Sequence, residues 1–247
     1  MRLERERHEP INIRTKFDSV TADNRTGRRS PYPSGAPFLL YVAILFVGLI
    51  VTGALAGSAS DVPNFEHHLI GHPKERFPLK VYAEAKISKR LMSSVRDAVA
   101  AWNQVFEQVF HRQAFVWTEN KATADIIIRL VKASHVHQEM GVTDIDADKR
   151  GVIRLPVEIE LNPPVARGKT DVRQMLFDVT AHELGHALGL PHINKPTSIM
   201  CCAPGGINFA NPATRDAYIE ARRHPDLHSV APDLAAHYRA FWKELGN

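Results

Sequence analysis

The chain has 247 residues, 44% of them hydrophobic and 23% charged, and a net charge of +4 with histidine neutral. That length and apolar content allow one globular domain with a real core plus non-globular extras. The charge is mild and no Lys/Arg run lies beside aromatic residues, which argues against nucleic acid as a partner.

Residues 1–37 are polar and charged, with Arg2, Arg5, Arg7, Arg14, Lys16, Arg25, Arg28 and Arg29 set against fewer acids, and they read as a disordered tail. Residues 38–56 (FLLYVAILFVGLIVTGALA) follow, and no charge occurs between Arg29 and Asp61. About 20 helical residues at 1.5 Å each cross a bilayer core, so this stretch reads as one transmembrane helix. Basic residues on its N-terminal side put the tail in the cytoplasm and the bulk of the chain outside, as a single-pass membrane protein. The rival is a cleaved signal peptide followed by secretion, for which Ala54, Ala56, Ser58 and Ser60 offer small residues; the long polar leader favours the anchor. Residues 57–76 read as a juxtamembrane linker whose His67, His68 and His72 are solvated.

From residue 77 to 247 the pattern is that of a folded domain. Residues 77–87 alternate as a strand, and Ser88 caps a helix with Leu91, Val95, Val99, Trp102, Val105 or Phe106, and Val109 on one buried face. Residues 115–117 and 125–131 are strands, the second apolar enough to be buried on both faces. Residues 132–150 read as a loop. Its Asp144, Asp146 and Asp148 resemble the opening of a calcium loop, but Lys149 stands where the glycine belongs and Leu155 where the bidentate Glu belongs, so Ca2+ is the lesser reading. Residues 151–162 give one or two short strands broken by Pro156. Thr170 caps the next helix, which runs from Asp171 to Leu188.

That helix carries the sequence HELGHALGLPH, residues 182–192. Residues four apart on a helix share a face, so His182 and His186 can aim two imidazoles at one metal ion. Gly189 can end the helix at a positive φ and Pro191 cannot continue it, which swings His192 back toward the same ion. Three nitrogen ligands with one position left open describe a catalytic zinc site, with Glu183 beside the metal rather than on it. The full spacing arises by chance with a frequency on the order of one in ten thousand.

Beyond Met200, Cys201 and Cys202 are neighbours, too close across a trans peptide for an unstrained disulfide, and read best as buried small residues. Residues 213–223 form a short helix. Pro232 opens a closing helix with Leu234, Tyr238, Phe241 and Leu245 inside.

The motif with Ser198-Ile199-Met200 after it resembles the metzincin clan of zinc endopeptidases, and within it the matrixins. The resemblance implies an α+β zincin-like domain with a twisted, mixed and mostly parallel sheet and about three main helices. It makes His182, His186 and His192 the zinc ligands, Glu183 the general base, and Met200 the methionine beneath the metal. It also implies an antiparallel edge strand that pairs with extended substrate, for which Val152, Ile153, Arg154 and Leu155 are the candidates. It makes residues 203–230 the wall of a specificity pocket. Matrixins hold a second, structural zinc through a His-x-Asp pair; here His137 replaces the Asp, so no second site is expected.

The function implied is zinc-dependent hydrolysis of peptide bonds in protein or peptide substrates by a membrane-anchored endopeptidase. The alternatives are a membrane-tethered binding module whose zinc is only structural, and a specialised aminopeptidase or amidase on the same scaffold. Oligomeric state and natural substrate are not read from the sequence.

Overall fold

The computed structural model describes residues 11–18, 69–131, 139–162, 171–203 and 205–246. The apolar stretch 38–56 lies outside them, as do His67 and His68. Among the described residues no helix is long and apolar enough to cross a membrane.

The strands are β1 (Ile11–Asp18), β2 (Leu79–Ala83), β3 (Phe115–Trp117), β4 (Ile126–Leu130), β5 (Glu139–Ala147) and β6 (Val157–Leu161). The helices are α1 (Lys89–Phe110), α2 (Val172–Ala187), α3 (Pro212–Arg223) and α4 (Ala231–Leu245). The strands form one six-stranded sheet in the order β1-β5-β6-β4-β2-β3. The pairs of β2 with β3 and β4, and of β4 with β6, are parallel, while β5 runs antiparallel to both β6 and β1. The mixed, mostly parallel α+β architecture is the one expected.

Local chemistry explains most elements. Leu79 and Val81 of β2 face inward around exposed Lys80, and Ile126, Ile127 and Ile128 make β4 apolar on both faces, as a central parallel strand requires. Ser88 caps α1 by accepting from the Leu91 amide. Val95, Val99, Trp102, Val105 and Phe106 are buried along one face of α1, the face that the spacing predicts. Asn211 caps α3 and Pro212 opens it, where a missing N–H costs nothing.

The structure corrects the sequence reading at several places. Residues 139–147 are a strand, not a loop: Thr143, Ile145 and Ala147 point inward and Asp144 and Asp146 outward. The spacing of two that suggested a calcium loop is the spacing of a strand's outer face. Asp148 then closes a turn by accepting from the amides of Arg150 and Val152.

Val152 and Ile153 are not the antiparallel edge strand. They make only isolated bridges, to Gly71 and Ala147, and Arg154 and Leu155 lie outside any strand; β5 is the antiparallel strand beside the helix layer. Pro156 explains why the apolar run is not one strand.

The domain also begins earlier than residue 77. Gly71 donates to the Gly151 carbonyl and accepts from the Ile153 amide, and His72 is fully buried. Within the tail expected to be disordered, β1 pairs with β5 from Ile11 opposite Ala147 to Asp18 opposite Glu139.

Cys201 and Cys202 are joined as a disulfide across a cis peptide, with their Cα atoms 3.0 Å apart, where the sequence reading assumed a trans bond.

Candidate metal centre

α2 is the most buried helix of the domain: nearly every residue from Leu176 to Ala187 is inaccessible. Asp171 caps it, one residue later than the expected Thr170, by accepting from the Arg173 amide at 3.0 Å. α1 grips its middle through the Trp102 indole, which donates to the Ala181 carbonyl at 2.8 Å. At Gly185 a Cβ would meet the Met200 sulfur and the Trp102 ring, so the glycine is what lets Met200 lie against the helix between the two motif histidines.

The helix ends in a Schellman arrangement. Gly189, at φ +90°, donates to the His186 carbonyl at 2.7 Å, and Leu190 donates to the Gly185 carbonyl at 3.0 Å. The next two orphan carbonyls are satisfied from outside the helix. The His72 ring donates through Nε2 to the Ala187 carbonyl at 2.9 Å, and the Tyr238 hydroxyl to the Leu188 carbonyl at 2.8 Å. Trp242 in turn donates to the His72 carbonyl at 2.9 Å. Rings of Phe77, Phe106, Phe110, Tyr238 and Trp242 pack around these bonds, with Phe77–Phe106, Phe110–Trp242 and Tyr238–Trp242 centroids 4.6, 4.8 and 4.8 Å apart. The hydrophobic buttress between α1 and α4 thus fixes the end of α2 and the course of the chain into His192.

The three motif histidines meet. Their Nε2 atoms lie 3.0 Å (His182–His186), 3.2 Å (His182–His192) and 3.2 Å (His186–His192) apart. His182 donates through Nδ1 to the Ile199 carbonyl at 2.7 Å, and His186 through Nδ1 to the Leu190 carbonyl at 2.8 Å. A neutral imidazole has one N–H, so both Nε2 atoms carry lone pairs, aimed at each other and at His192. Burial and then the neighbouring imidazoles hold His182 well below the usual histidine range; the same causes take His186 down to about 3. Converging lone pairs on rings that resist protonation are a cation's donor set. Two nitrogens on a tetrahedral zinc at 2.0–2.1 Å would sit about 3.3 Å apart, close to the observed triangle. Among the described residues this is the one group that could hold a metal ion.

Met200 lies against Gly185 of α2. Its turn is pinned by the Ile193 amide donating to the Met200 carbonyl, by Ser198 Oγ accepting from the Met200 amide, and by Arg222 of α3 donating to the Ser198 carbonyl at 2.7 Å. Ile199, between them, supplies the carbonyl that orients His182. Glu183 is completely buried and faces β5, where its Oε2 accepts from the Thr143 hydroxyl at 2.6 Å.

Three contributors escape the sequence reading. Thr143 and Gly141 were hidden in the supposed loop, although the alternation from residue 141 to 147 could have revealed them. His72, read as a solvated linker residue, is a core residue that ties the N-terminal strap to α2. Burial lowers the pKa of His72 to about 4. With the folded value depressed below the ordinary 6.5, the unfolded chain binds the extra proton between pH 6.5 and 4. The stability that His72 contributes is complete above pH 6.5 and is lost as pH falls toward 4, on the order of 3 kcal/mol at most. His72→Gln, which keeps an Nε2 donor without titrating, should therefore lose less stability over that range than the zinc-free parent. Parallel urea-unfolding curves from pH 7 to 4 check this, and an equal acid decline in both proteins would refute it.

Comparison with known proteins agrees with this geometry. The family model for matrixin matches residues 74–207, a little over half of the chain. Human matrix metalloproteinase-15 is 28% identical over 142 residues, which is 54% of this chain and 20% of that protein, so the chain spans about a fifth of that relative's length. The match begins just past His72 and takes in Phe77, the whole of α2 and the turn beyond Met200, and on that ground the chain belongs to the matrixin family.

Proposed function

We propose that this protein is a zinc-dependent endopeptidase. The observation that carries the reading is the triangle of three Nε2 atoms, two of them committed as acceptors by the Nδ1 bonds of their own rings.

His182, His186 and His192 would hold the ion. When bound, zinc supplies a Lewis acid that makes a water nucleophilic near neutral pH and polarises the carbonyl under attack. Glu183, next in sequence to one ligand and held on β5, takes the proton of the attacking water and returns it to the leaving amine. Burial of Glu183 excludes competing solvent around the carboxylate and strengthens each of its contacts. The substrate lies extended along β5, making strand-like hydrogen bonds on the side away from β6. β1 follows that path, antiparallel, in this chain.

The test is cleavage of a mixed peptide library by the purified full chain, with product termini mapped by mass spectrometry. Internal cuts that vanish with a chelator and return with zinc are the expected result. Removal of single N-terminal residues only would replace the endopeptidase by an aminopeptidase, and zinc binding with no cleavage would leave a metal-stabilised binding module.

A further inference from the structure

We propose that Thr143 is a positioning residue for Glu183, and that Gly141 makes the seat in which it does so; the inference rests on the zinc-peptidase reading above. Both residues lie on the inward face of β5, two apart, and both meet the same side chain. The Thr143 hydroxyl lies 2.6 Å from Glu183 Oε2 and 3.2 Å from the Glu183 backbone carbonyl. A Cβ at Gly141 would stand 2.7 Å from Glu183 Oε1, 2.8 Å from its Cγ and 2.7 Å from Val179 Cγ1, closer than real Cβ atoms approach, so the glycine vacates space that the carboxylate stem fills together with Val179 one turn before it on α2.

Residue chemistry makes this arrangement informative. An inward position on a strand beneath a helix is ordinarily apolar and β-branched, and Val has the shape of Thr. A hydroxyl in that place costs about 1–3 kcal/mol unless it is bonded, and Thr143 is fully buried. Its partner is the one carboxylate of α2 that the proposed reaction uses. At 2.6 Å the bond falls in the short range typical of a hydroxyl donating to an ionised carboxylate.

A free glutamate side chain loses about 1.5–2 kcal/mol of rotamer entropy when fixed, and a misplacement of about 1 Å in a reacting constellation can cost a hundredfold in rate. Thr143 fixes the rotation of the carboxylate and Gly141 fixes how far it is set back. The strand that receives substrate therefore also sets the base, so peptide and proton acceptor share one rigid reference.

The experiment uses the zinc-loaded full chain with Thr143→Val, which keeps the shape and removes the donor, Thr143→Ser, which keeps the donor, and Gly141→Ala. Loss of a hydrogen bond to a charged group predicts a kcat for Thr143→Val about tenfold or more below wild type, with KM and zinc content within about twofold. Thr143→Ser should recover to within about threefold, and Gly141→Ala should reproduce the kcat loss by displacing Glu183 without touching the hydroxyl.

A second readout is the visible absorption of the cobalt-substituted chain. It should shift in Thr143→Val toward the spectrum of Glu183→Gln and stay unshifted in Thr143→Ser. A kcat for Thr143→Val within about twofold of wild type, or a Thr143→Ser as impaired as Thr143→Val, overturns the assignment. Should Thr143→Val not fold, Thr143→Ala is judged by the same criteria. A wild-type chain that binds zinc and cleaves nothing sinks the peptidase reading instead, and the cobalt spectra alone then judge Thr143.

Discussion

Glu183→Gln should bind zinc as the parent does and turn over substrate more slowly by about a hundred- to ten-thousandfold, the usual worth of a positioned general base. The two effects separate because the ligand geometry does not depend on Glu183. His182 is oriented by the Ile199 carbonyl and His186 by the Leu190 carbonyl, and both bonds survive the change. Gln keeps the size of Glu and can still accept from Thr143, so the change would remove only the proton transfer proposed for Glu183. His186→Ala should behave differently, losing metal and turnover together, because it opens one corner of the nitrogen triangle. Metal analysis beside steady-state kinetics distinguishes the two outcomes. Near-parental turnover in Glu183→Gln would remove Glu183 from the reaction.

Gly189→Ala should be among the most damaging single substitutions in the domain, costing about 3–5 kcal/mol by the combined strain of a left-handed φ and overlap in a packed core. At φ +90° a side chain is strained in any surroundings, and here a Cβ would also run into the Ile70 carbonyl and press on Gly71. The strap at 69–72 would have to leave the end of α2. With it would go the His72 bond to Ala187, and the turn that presents the Leu190 carbonyl to His186 would move. Zinc affinity should then fall about 10- to 100-fold, the usual cost of disturbing groups that orient metal ligands.

Gly205 provides the control. It too has positive φ, +74°, but a Cβ there would meet nothing within 4 Å. Gly205→Ala should therefore cost only about 1 kcal/mol and leave the metal bound. Thermal unfolding with and without zinc measures both. Equal costs for the two substitutions would mean that the strap does not press on α2 as described.

The features legible in the sequence were those with short-range causes. The face of α1 follows from helical periodicity, the cap at Ser88 from its hydroxyl, and the His182–His186–His192 triangle from a helix and a glycine turn spanning eleven residues. β5 was not legible because two explanations compete for one spacing. Alternate aspartates are what a calcium loop needs and also what the wet edge of a strand shows, and only the neighbours Thr143, Ile145 and Ala147, buried together, decide between them. His72 was illegible for another reason. Its partners, Ala187 and Trp242, are more than a hundred residues away, and no local pattern separates a linker histidine from one that closes a helix end. The extent of the domain was misjudged with it, since Gly71 is held by Gly151 and Ile153 rather than by anything nearby.

The pairing of β1 with β5 is also a statement about geography. Eight residues of backbone can lie on β5 only if the N-terminal segment and the zinc-binding domain share one aqueous compartment. A single crossing of residues 38–56 with the N-terminus inside would part them, and the outer rim of β5 would then stand bare, as a docking rail for an extended peptide. If the leader stays on the domain's own side, the same rail carries a piece of the chain itself, and an incoming peptide must exchange places with it strand for strand. Where residues 11–18 reside thus decides whether the peptide path proposed along β5 stands open or already filled.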